Sequence, residues 1–146
     1  MQTDAQRCLS PYRTMREVET LVDELENCTL PLSRFKHAAH LAVTLYYLTR
    51  MTPEEATRKM RESLLRIIAR YGLTGYNETI TLFWLRRVES FRAATETGRP
   101  FISLLDELIE SYGEARLIYE YYTRQHLMSD EARDGWTEPD LKPLDF

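Results

Sequence analysis

Thr52-Pro53-Glu54-Glu55 constrains the fold of this chain more than any other segment. A threonine at the cap, a proline at the first helical position and a glutamate three residues after the cap make a helix start that no strand would carry. Behind it Ala56, Met60, Leu64, Ile67, Ile68 and Tyr71 recur at helical spacing, and Gly72 supplies the stop. The same grammar recurs along the chain. Thr14 and Glu17 fit a capping box for a first helix to about Glu26, with Met15, Val18, Val22 and Leu25 on one face. Asn27–Leu32 reads as a loop, and Ser33 is the expected cap of a second helix to about Arg50, apolar on most sides and therefore central. A fourth helix starts at or near Asn77 with Ile80, Trp84, Val88 and Phe91 inward. Pro100 opens a fifth to about Tyr112, stopped by Gly113.

After Gly113 the periodicity fades. Glu114–Gln125 is expected to form a sixth helix carrying Tyr119, Tyr121 and Tyr122, and Ser129 to cap a short turn through Arg133. Pro139 and Pro143 make Thr137–Phe146 an extended tail. No segment alternates with period two, no repeat is present, and only 5 of 146 residues are glycine. The expectation is an all-α, single-domain antiparallel bundle of five or six helices over residues 1–146, with flexible or extended ends at 1–13 and 137–146.

Charge and composition exclude several function classes. The net charge of −4 gives no basic face for nucleic acid. Leu41–Leu48 is too short and too polar to cross a membrane, and Met1–Arg7 has no leader-like apolar run. Cys8 and Cys28 are isolated thiols, so the chain reads as cytoplasmic and reduced.

Two polar motifs interrupt the apolar helices. His37-Ala38-Ala39-His40 places two imidazoles on one helical face, continued by Thr44 and Tyr47. Tyr76-Asn77-Glu78 supplies a phenol, an amide and a carboxylate at the start of the fourth helix, with Thr81 one turn on; a carboxylate there is favoured by the helix dipole. If the motifs meet, His37, His40 and Glu78 are candidate catalytic residues, and Tyr47, Tyr76, Asn77 and Thr81 candidate ligand-binding ones. Two nitrogens and an oxygen also match an open divalent-metal site. A di-iron centre is argued against, because Arg34, His37 and Thr123, three residues before the histidines, are not acidic. Three readings stand: a small-molecule pocket or cryptic active site of unknown substrate, metal-assisted chemistry at His37, His40 and Glu78, or a non-catalytic structural or interaction protein. The Tyr119–Tyr122 segment is a candidate seam for a homo-oligomer. The cofactor, if any, is not named by these residues.

Phe35-Lys36-His37-Ala38-Ala39-His40-Leu41, Gly75–Thr81, Trp84-Leu85 and the Ala132-Arg133…Trp136…Pro139-Asp140-Leu141 tail resemble a bacterial family of small helical proteins with the pattern F-x-H-x-x-H-L, G-Y-H-E-T-[IL]-T, W-L. The resemblance implies no activity. Asn77 stands where that pattern has histidine, which lowers the metal reading and suits a capping role.

Overall fold

The computed structural model describes residues 8–146; the leader reading of Met1–Arg7 lies outside the described residues. The described residues are all-helical: α1 (Met15–Glu26), α2 (His37–Leu48), α3 (Pro53–Arg70), α4 (Glu78–Ala94), α5 (Phe101–Tyr112), and the short α6 (Arg124–Leu127) and α7 (Asp130–Asp134). Single 3₁₀ segments lie at Leu32–Arg34 and Ala115–Glu120. No helix among the described residues is long and apolar enough to cross a membrane.

α2 is the axis of the bundle and touches α1, α3, α4 and α5. Its sequence explains why. Leu41, Ala42, Val43, Thr44 and Leu45 are consecutive and all fully buried, so every side of the helix needs a neighbour. Each fully buried leucine contributes about 1.5–3 kcal/mol. Around this axis α1 buries Val18, Leu21, Val22 and Leu25, and α5 buries Leu104, Leu105, Leu108 and Ile109.

Most helix boundaries lie where local chemistry puts them. Thr52 accepts from the Glu55 backbone N–H at 3.2 Å while Glu55 accepts from the Thr52 N–H at 3.1 Å, completing the box. Thr14 caps α1 through the Glu17 N–H, but the Glu17 carboxylate takes the Thr14 hydroxyl at 3.3 Å. α2 begins later than expected. Pro31 starts a 3₁₀ turn in which Arg34 and Phe35 donate back to Pro31 and Leu32, and Phe35 (φ −92°, ψ 70°) leaves the helical region. Ser33 is therefore inside that turn, and Lys36 stands at the cap with no side-chain hydrogen bond.

The sixth helix expected over Glu114–Gln125 does not form. A 3₁₀ stretch and the four-residue α6 replace it. Tyr121 and Tyr122 are consecutive and both buried, against different partners: the Tyr121 ring meets Phe83 and Phe146, whereas the Tyr122 hydroxyl donates to the Thr137 carbonyl at 2.6 Å. Tertiary packing overrides helical period here. The tail is extended, as expected, and is fastened to the bundle. Leu141 N–H donates to the Tyr121 carbonyl, and the Phe146 ring packs on Phe83. Gly113 ends α5 because the chain passes close by: a Cβ there would lie 2.7 Å from that of Cys8 and 2.4 Å from the Ile109 carbonyl oxygen.

α1 ends in a Schellman motif, with Thr29 N–H donating to Glu24 and Cys28 N–H to Leu25. The left-handed position of that motif is held by Cys28 at φ 58°, where glycine is the favoured residue. α3 ends in the same motif with Gly72 at φ 64°. Cys28→Gly should therefore raise stability by about 1 kcal/mol in urea unfolding; a lower midpoint would show that packing of the thiol outweighs the backbone strain.

Candidate functional site

The two polar motifs lie on neighbouring helices, but each is occupied by a different set of partners. His37 opens α2. Its Nε2 lies 3.0 Å from the Tyr112 carbonyl oxygen at the end of α5, so that nitrogen carries the proton and donates. The ring meets Trp84 of α4 edge-on at 4.4 Å between centroids. Burial lowers its pKa, with the Tyr112 carbonyl and the Glu114 carboxylate opposing. His40 lies one turn on, 6.1 Å from the Phe35 ring. Its Nε2 is shut off from water without a hydrogen-bond partner. Burial, then the neighbouring His37, pulls its pKa down to about 4, so it is neutral at pH 7. The polar stripe continues inward: Thr44 donates to the His40 carbonyl at 2.7 Å, and Tyr47 donates to Glu26 at 2.8 Å beside Ser63.

Glu78 is engaged elsewhere. Arg61 of α3 grips it through Nε at 2.9 and 3.1 Å and through Nη2 at 2.5 Å, and the Tyr76 hydroxyl donates to it at 2.6 Å. Arg61 holds the Glu78 carboxyl below its ordinary range against the effect of burial. Burial and then Glu78 push the Tyr76 phenol up to about 12. This is a charge-assisted clamp between α3 and the first turn of α4.

The other residues of the second motif hold the C-terminal third. Asn77 caps α4 by accepting from the Ile80 N–H at 3.0 Å, and its amide donates to the Leu127 carbonyl at 2.8 Å. Thr79 donates to the Gly135 carbonyl at 2.8 Å and accepts from the Thr137 N–H at 3.2 Å. Thr81 donates to its own helix, at the Asn77 carbonyl. Of the expected ligand-binding residues, Tyr47, Tyr76, Asn77 and Thr81 thus all bond to protein. His37, His40 and Glu78 do not make a metal site: among the described residues no group of three or more His, Cys, Asp or Glu could hold an ion. Arg61 already saturates the carboxylate that the metal reading requires.

A cavity of about 630 Å³ opens in another place, between the chain entering α1, α1 itself and the start of α2. Its lining is mostly apolar, from Tyr12, Leu21, Leu30, Ala38 and Ala39. Polar groups stand around this floor. Arg34 is paired with Glu24, and Glu17 is occupied by Thr14. Arg16 and Lys36, both exposed, make no ion pair among the described residues. Burial pushes the Tyr12 phenol up, with Arg34 opposing and Glu17 adding. The volume is that of a drug-sized ligand site. Sequence reasoning missed this groove because its walls come from three segments. The one local hint is apolar residues in the loops on either side of α1, Pro11-Tyr12 and Leu30-Pro31-Leu32.

Comparison with protein families, curated proteins and solved structures finds no match to this chain.

The partly buried imidazoles set a pH dependence. Unfolded histidine titrates near 6.5, whereas folded His40 binds its proton only near pH 4. The unfolded chain therefore takes up protons first, and stability is full above about pH 6.5 and falls as pH drops towards 4. His40 accounts for about 2–3 kcal/mol of this loss, and His37 adds in the same direction. Urea unfolding at pH 7 and pH 4.5 should show this slope in the wild type and a much shallower one in His40→Leu; parallel slopes would contradict it.

Proposed function

We propose that the protein is a small-molecule binding protein whose ligand occupies the groove between α1 and the start of α2. The observation that carries this reading is the groove itself, a cavity of about 630 Å³ with an apolar floor and polar groups at its rim. The contacts of the His37/His40 and Tyr76-Asn77-Glu78 motifs support the same reading. His37 Nε2, the Tyr76 hydroxyl, the Asn77 amide and the Glu78 carboxylate are all engaged by the bundle. A cryptic active site at these motifs would need to break the Arg61–Glu78 clamp before Glu78 could reach a substrate.

Nile red, an uncharged dye that fluoresces in apolar surroundings, is the direct probe. Thr20 lines the groove from the exposed side of α1, so Thr20→Trp fills the space without touching the core. Wild-type protein is expected to bind the dye at one site. Thr20→Trp should weaken binding about tenfold or more, while His40→Leu and Glu78→Gln bind as wild type. Loss of binding in the His40 or Glu78 variants, with Thr20→Trp unaffected, would move the site back to the polar motifs.

A further inference from the structure

We infer that the ligand of this groove is an anionic amphiphile, a small molecule with an apolar body and one negatively charged head. The inference rests on the groove reading above and adds the charge class of the occupant.

Charge complementarity carries it. Five charged side chains line the groove: Arg16, Glu17, Glu24, Arg34 and Lys36. Glu24 is paired with Arg34, whereas Glu17 accepts from the Thr14 hydroxyl and keeps its charge, so three cations against two carboxylates leave the lining with a net positive charge. Arg16 and Lys36 approach the groove from α1 and from the start of α2. Each lacks an ion-pair partner among the described residues. The backbone adds to the same sign. Lys36 caps α2 without a side-chain hydrogen bond, and the first turn holds no acidic residue, so the opening N–H groups are unanswered where Lys36, Ala38 and Ala39 face the groove.

The apolar part of the occupant follows from the floor. Leu21, Leu30 and Ala39 are nearly buried yet contribute to the lining, and Tyr12 and Ala38 complete an apolar surface. An inorganic anion would leave this surface wet. A neutral apolar molecule would leave the excess positive charge of the lining without a counter-charge. A molecule joining both features satisfies the whole lining.

Displacement of Nile red separates the charge class from the groove itself. Decanoate, 1-decanol and decyltrimethylammonium share one tail and differ in the head. Decanoate should displace the dye at about tenfold lower concentration than either of the others. Arg16→Gln combined with Lys36→Gln should erase that preference and leave 1-decanol unchanged. Both side chains are exposed, so the fold is not at stake, and circular dichroism checks it. Equal displacement by decanoate and 1-decanol, or a preference that survives the double variant, overturns the anionic class while the groove stands. Failure of all three to displace the dye, together with unchanged dye binding in Thr20→Trp, overturns the groove reading as well.

Discussion

The first turn of α4 is where the structure is tied together. Asn77 answers a free N–H of its own helix with one end of its amide and the carbonyl of Leu127 with the other. Two residues later Thr79 bridges Gly135 and Thr137, and between them Glu78 takes the guanidinium of Arg61. Within three residues α4 thus acquires its cap, its link to α3 and its hold on the segment after Tyr122. The buried partners explain the residue types. A carbonyl at Leu127 left without its donor costs about 1–3 kcal/mol, and the amide supplies the cap acceptor and that donor from two separate atoms. Asn77 is suited to this double task.

α2 follows from a different constraint. A helix that is apolar all round must be covered on all sides, and four helices cover it. Its two histidines lie in the first turn, partly buried, ahead of the fully covered stretch from Leu41 to Leu45. His37 is reconciled with burial by the Tyr112 carbonyl. His40 is reconciled by staying neutral, at the cost of one nitrogen without a partner. The same turn of helix presents Ala38 and Ala39 to the groove, so the imidazoles and the cavity occupy different sides of one short stretch.

The parts of the fold that rest on local chemistry were legible in the sequence. Thr14, Thr52 and Ser129 cap the helices expected of them, Gly72 and Gly113 stop theirs, and α2 is the central helix that its apolar run requires. Where the reading failed, a distant partner decided. The start of α2 is displaced by a 3₁₀ turn, and the sixth helix is lost to two tyrosines drawn into different parts of the core. The site was less legible for the same reason. Helical spacing correctly placed His37 and His40 on one turn, but the partners of Glu78 and Asn77 lie 17 and 50 residues away. Tyr12, Arg16 and Lys36 carry no motif at all; they become neighbours only when α1 packs on α2.

The central claim is that the Gly75–Thr81 segment is a structural bracket and that binding takes place in the α1/α2 groove. Hydrogen–deuterium exchange on Asn77→Ala, read alongside Nile red binding, tests it most directly. The account predicts faster exchange of the backbone amides in residues 124–146, through loss of the Leu127 anchor and the α4 cap, with dye affinity unchanged. Unchanged exchange in that segment, with dye binding lost, would contradict it.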